Sequence, residues 1–225
     1  VPLSLEINDL VVRGRRGGRE LVHVPRLVIA AGEAVGVRGP SGAGKSSLLF
    51  ALAGLSPFVE GEVRWGTENI AAMSSARTAA FRRSHVGMIF QDHLLFEELG
   101  PEANASIAGA FARRAERAGR RERAAAALRR LAVPEGARNV ETFSGGERQR
   151  VAVARALAGA PSILLADEPT ASLPREASVK LTEDLLHAAR DRGATLIAVS
   201  HDLALLDAMD RVITIEHGRI LETAQ

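Results

Sequence analysis

Residues 39–46 read Gly39-Pro40-Ser41-Gly42-Ala43-Gly44-Lys45-Ser46, a glycine-rich turn between two stretches of different period. Residues 34–37 before it are a continuous apolar run of strand length. After it, Leu48, Leu49, Leu52 and Leu55 recur at helical spacing. A buried strand feeding a helix through such a turn commits the chain to an α/β arrangement and is the context that makes the motif specific. The glycines let backbone N–H groups turn inward around phosphates at the positive end of the helix. Lys45 then reaches the β- and γ-phosphates of ATP, and the Ser46 hydroxyl takes Mg²⁺. Gly39, Pro40, Ser41, Gly42, Ala43, Gly44, Lys45, Ser46 and Ser47 are the nucleotide-binding candidates. The plainer reading, a turn that caps a helix, leaves Lys45 without a task. That lysine stands out, because Lys45 and Lys180 are the only lysines among 29 Lys and Arg residues.

A second apolar run, residues 163–166, ends in Asp167 and Glu168. A carboxylate closing a core strand beside the phosphate loop is placed to hold the Mg²⁺ shell, the role expected of Asp167. Glu168 is then free to polarise the attacking water as general base. The alternative is a strand followed by a solvated acidic turn.

Strand signals also fall at residues 3–7, 26–30, 86–90, 195–200 and 211–215. Helix signals fall at 175–190 and 203–209, and helix formers dominate from about 101 to 131. Alternating strands and helices at both ends predict a largely parallel sheet, with the helical middle as an inserted lobe. Residues 14–20 suit an exposed connection. Charged residues at 25% and hydrophobic ones at 46% are the balance of a globular protein. The lack of cysteine excludes a disulfide framework and thiolate metal sites. No apolar run reaches the roughly 18 residues of a membrane span, and the first residues lack a secretion signal, so a cytoplasmic location is expected. A net charge of +2 speaks against a nucleic-acid partner. The arginines at 113–130 read as a solvated helix face; contact with a partner protein, the membrane surface or a nucleic acid is the alternative, the last unsupported by interleaved aromatics.

Residues 143–150, Phe143-Ser144-Gly145-Gly146-Glu147-Arg148-Gln149-Arg150, begin a helix, with Ser144 as N-cap and Glu147 completing a capping box. Paired glycines there bare further N–H groups and make a second anion site possible. This stretch resembles the signature motif of ATP-binding-cassette proteins, usually Leu-Ser-Gly-Gly-Gln. Gln91 after its strand resembles the family's Q-loop glutamine, which touches Mg²⁺ and the water. His201 resembles the switch histidine that contacts the γ-phosphate. The resemblance covers residues 3 to about 222 and implies an α/β P-loop NTPase (RecA-like) core with an antiparallel β subdomain and an inserted α-helical lobe. The core would be 1–91 with 159–225, and the lobe about 92–158.

It further implies a head-to-tail dimer in which Ser144, Gly145, Gly146 and Glu147 of one subunit cover the nucleotide held by Lys45 of the other. A groove near residues 91–104 would receive membrane-spanning transporter subunits, placing the chain on the inner face of the cell membrane. Residues 164–170 and 146–150 resemble the lipoprotein-release and macrolide-efflux group. A cassette ATPase acting on a soluble assembly, such as a carbon–phosphorus lyase complex, is the alternative.

Two departures bear on the chemistry. The adenine-stacking aromatic of the family is missing, and Arg13, whose guanidinium could stack on the base, stands near its place. Pro174 occupies the position of an aspartate that helps couple the two sites, so modest hydrolysis is expected.

Overall fold

The computed structural model describes residues 1–14, 18–111 and 114–221. Strands β1 (Leu5–Arg13) and β2 (Glu20–Ile29) pair antiparallel and bury Leu5, Ile7, Leu10, Val12, Val22 and Val24. The buried set changes phase between Ile7 and Leu10. There Asp9 has φ 48°, and the register with β4 (Val59–Trp65) slips between Asn8 and Val11. This is a β-bulge, in which one additional residue resets the alternation and bends the strand. Gly61 fits the bend because a Cβ there would stand 2.1 Å from the Asp9 carbonyl oxygen. β1 thus extends well past the window 3–7. β2 begins at Glu20 rather than 26, which shortens the expected connection. Arg15, Arg16 and Gly17 of that connection lie outside the described residues, as do Arg113 of the arginine stretch and Glu222.

β4 and the short β5 (Glu68–Asn69) complete the antiparallel part, and α2 (Ser75–His85) follows; these elements go beyond the sequence expectation. The parallel part consists of β3 (Ala34–Arg38), β6 (Val86–Ile89), β7 (Ile163–Asp167), β8 (Thr195–Val199) and β9 (Arg211–Glu216). β10 (Arg219–Leu221) joins the two parts, running antiparallel to β9 and touching β2. The ten strands lie in the order β5-β4-β1-β2-β10-β9-β3-β8-β7-β6. β7 and β8 are buried throughout, which is why they read as unbroken apolar runs.

One apolar cluster joins the antiparallel strands to α1 (Lys45–Leu52) through Leu48, Leu49 and Leu52. The other gathers α5 (Gly145–Ala158), α6 (Arg175–Arg190) and α7 (Leu203–Asp207) with the opposite sides of β7 and β8. The helical stretch 101–131 divides into α3 (Pro101–Ser106), a 3₁₀ segment and α4 (Arg114–Arg130). Only Ala124 and Leu128 of α4 are buried, so its arginines form mostly a solvated face. Arg123 is an exception, donating to the Ala158 carbonyl at 2.9 Å where α5 ends.

Trp65 is fully buried, and its indole N–H donates to the Leu52 carbonyl at 3.0 Å, tying β4 to the end of α1. Trp65→Ala should cost about 3–5 kcal/mol of stability. Urea unfolding followed by circular dichroism measures this; a loss below about 1 kcal/mol would mean that the site collapses around the smaller side chain.

Candidate active site

The ends of β3, β7 and β8 and the start of α1 surround a cleft of about 990 Å³. Its lining brings together Ser41, Gly42, Gly44, Lys45, Ser46, Ser47, Gln91, Asp167, Glu168 and His201, which the sequence scatters over 160 positions (41 to 201, a difference of 160). Clefts outside the carboxyl ends of parallel strands are where open α/β sheets bind ligands. Gly44 has φ 98°, and a Cβ there would stand 2.7 Å from the Leu21 carbonyl oxygen, so this turn admits only glycine. Gly39, Pro40 and Ala43 complete the loop around it, with Ala43 buried beneath.

Lys45 is 8% exposed. Its ammonium donates to the Gly39 carbonyl at 2.7 Å and the Pro40 carbonyl at 3.0 Å, and stands 3.2 Å from His201 Nε2. His201 Nε2 is also 3.4 Å from Glu168 Oε1, and its backbone N–H donates to Glu168 Oε2 at 3.3 Å. Cation, imidazole and carboxylate therefore form one chain across the cleft. Glu168 has φ 48°, a left-handed conformation unusual for a residue with a side chain. Its backbone N–H donates to the Val199 carbonyl at 2.9 Å, which fixes the turn against β8. Strain of this kind collects at functional sites.

Asp167 is buried, and its Oδ1 has no hydrogen-bond partner. Burial raises its pKa, an effect that neighbouring Ser46 and Lys45 partly oppose. An orphaned carboxylate oxygen beside a serine hydroxyl is a hard-oxygen donor set that fits Mg²⁺, which takes few protein ligands and completes its shell with water and phosphate. Among the described residues no group of three or more His, Cys, Asp or Glu could hold a metal ion.

The structure does not bring Arg13 to this cleft. Its guanidinium pairs with Glu60 at 2.9 Å, because β4 runs beside β1 at that point. The wall near Gly44 is instead Leu21, a residue that falls between the expected connection 14–20 and the expected strand 26–30. Arg175, Val179, Asp202 and Leu203 also line the cleft without having been expected there; the first two come from the start of α6 and the last two directly follow His201. Ser144, Gly145, Gly146 and Glu147 are outside it. The capping box is formed: Ser144 N–H and Oγ both donate to Glu147 Oε2 at 2.8 Å, and Glu147 N–H donates to Ser144 Oγ at 3.3 Å. These bonds hold the Glu147 carboxyl below its usual pKa. A Cβ on Gly146 would stand 2.8 Å from Leu173 Cδ2, so the segment after Glu168 packs directly on the signature glycines.

Residues 22–171 match the ABC transporter family. The lipoprotein-releasing system ATP-binding protein LolD of Roseobacter denitrificans is 40% identical over 220 residues, covering 96% of both chains. The ABC transporter ATP-binding protein YbbA of Escherichia coli K12, itself uncharacterized, is 38% identical over 223 residues, covering 98% of this chain and 97% of its own. Among solved structures, the ATP-binding cassette MJ0796, dimeric in a post-hydrolysis state with ADP and Pi, superposes with a TM-score of 0.85 at 28% identity, covering 98% of each chain. Another dimeric structure of the same cassette gives 0.86 at 29% identity, covering 97% of each chain.

Proposed function

Because the chain belongs to the ABC transporter family, as an ATP-binding and ATP-hydrolysing subunit, we propose a division of labour among the residues of its cleft. The loop from Gly39 to Ser47 holds the phosphates, with Lys45 on the β- and γ-oxygens. Ser46, Asp167 and Gln91 would hold Mg²⁺, which neutralises charge on the phosphates when bound. Glu168 draws a proton from the attacking water, and His201 turns from Lys45 toward the γ-phosphate. The observation that carries this reading is the convergence of these residues in one cleft.

The same reading assigns Ser144, Gly145, Gly146 and Glu147 to the nucleotide of a second copy, which accounts for their place outside the chain's own cleft. Residues 1–91 and 159–225 act as the core and about 92–158 as the lobe. No described helix is long and apolar enough to cross a membrane, and Leu94 and Phe96 are exposed in the loop after Gln91. These two residues offer an apolar surface to membrane-spanning subunits, with the chain peripheral on the inner face. Mg²⁺-dependent phosphate release by the purified chain tests the reading, and a chain that does not bind ATP overturns it.

The cleft also carries a cost in stability. A carboxyl whose pKa is raised by folding favours the protonated state, so its contribution is most favourable at low pH. That contribution is lost as pH rises through the folded pKa, above which folding holds a buried charge. Asp167→Asn should therefore raise the thermal midpoint of the nucleotide-free protein by a few degrees at pH 7.5 while abolishing the gain from Mg-ATP. Differential scanning calorimetry with and without Mg-ATP separates the two effects; an unchanged Mg-ATP response would remove Asp167 from the cation site.

A further inference from the structure

We propose that Arg155 is a positioning residue for Gln91, holding it at the cleft by clamping the turn that follows it. The proposal rests on the reading of the cleft as an ATPase site in which Gln91 meets the metal and the water. Gln91 is exposed, and its side chain makes no hydrogen bond among the described residues, so its place is set by its backbone. Two residues on, His93 and Leu94 have φ 59° and 49°, consecutive left-handed conformations without glycine. Such a pair persists only when the surroundings impose it. The turn closes on itself through His93 N–H to the Phe90 carbonyl at 3.1 Å and Leu94 N–H to the Asp92 carbonyl at 2.6 Å. The first of these bonds spans Gln91.

Arg155 supplies the outside hold. From the last turn of α5 its Nη2 donates to the His93 carbonyl at 2.5 Å, and its Nη1 donates to the Leu94 carbonyl. One planar fork thus binds two successive carbonyls of the strained turn, a geometry that lysine cannot reproduce. Among the described residues no carboxylate acts on Arg155, and burial alone lowers its pKa, so these carbonyls are what its charge meets. α5 touches the loop again where Arg148 meets Glu97 at 3.1 Å. Gln149 of α5 meets the His93 side chain, while among the described residues Arg155 holds the backbone carbonyls of the turn. Because α5 begins at Gly145 with Ser144 as its N-cap, the clamp also joins the exposed Leu94 and Phe96 to the helix that carries the signature glycines.

The test is a double-mutant cycle on ATP turnover with Gln91→Ala and Arg155→Met. Displacing a positioned group by about 1 Å can cost on the order of 100-fold in rate. Arg155→Met should lower kcat by about tenfold or more with KM for ATP nearly unchanged, as should Gln91→Ala. The double variant should be no slower than Gln91→Ala alone, because Arg155 acts through the residue already removed. Defects that multiply, an Arg155→Met variant with parental kcat, or a change confined to KM would each overturn the proposal. Arg155→Lys, which keeps the charge and reaches one carbonyl, should fall between parent and Arg155→Met; it carries the same cycle if the methionine variant does not fold. A parent that fails to hydrolyse ATP overturns the ATPase reading itself, whereas an active parent with multiplying defects overturns only the role of Arg155.

Discussion

Glu168→Gln is expected to cut steady-state phosphate release by about 100- to 10,000-fold, the range a positioned general base contributes, while ATP still binds. The substitution is conservative in the respects that matter for folding. Glutamine keeps the length of the side chain and an oxygen to accept the His201 N–H, now bonded to Glu168 Oε2 at 3.3 Å. It keeps the backbone bond to Val199 that fixes the left-handed turn. What it loses is the ability to accept a proton. If Ser144, Gly145 and Gly146 of a second copy close over the γ-phosphate, blocked hydrolysis leaves that closure in place. The variant should then run as a dimer in size-exclusion chromatography with Mg-ATP and as a monomer with ADP. Turnover within threefold of the parent would remove Glu168 as the base. Lost turnover without a dimer would keep the base and shift the closing surface to a different cassette.

The residues of this prediction were legible in the sequence because each is tied to a local signal. The phosphate loop lies between a buried strand and a helix, the carboxylates end an apolar run, and the capping box announces its helix within four residues. Where the signal is not local, the sequence misleads. The alternation that would carry β1 to Arg13 is interrupted at Asp9, where the bulge moves Leu10 and Val12 into the phase of Leu5 and Ile7. Arg13 cannot be read as paired, because Glu60 reaches it only through the pairing of β1 with β4. Leu21 falls outside both the expected connection and the expected strand until Gly44 and Gly218 are seen against its carbonyl. The turn at His93–Leu94 lacks the glycine that would mark it, since a side chain from α5, distant in sequence, supplies the stabilisation that glycine would have given.

Lys45→Ala should weaken ATP binding by about 100-fold or more, since hydrogen bonds to a charged group are worth roughly 1.5–3 kcal/mol each and this ammonium has more than one phosphate oxygen to meet. Stability should change little, because Gly39 is half-buried and Pro40 exposed, so the carbonyls it leaves behind can turn to water. Lys45→Arg is the sharper comparison. It keeps the charge, in a chain that otherwise uses arginine almost throughout. Yet the ammonium fits between two carbonyls and an imidazole at 2.7, 3.0 and 3.2 Å, with donors pointing three ways from one atom. A planar guanidinium presents its donors as a fork and is too broad for that space. The arginine variant should therefore recover less than a tenth of the lost affinity in isothermal titration with Mg-ATP. Full recovery would show that charge alone holds the nucleotide, and the compact socket formed by Gly39, Pro40 and His201 would then have no part in recognition.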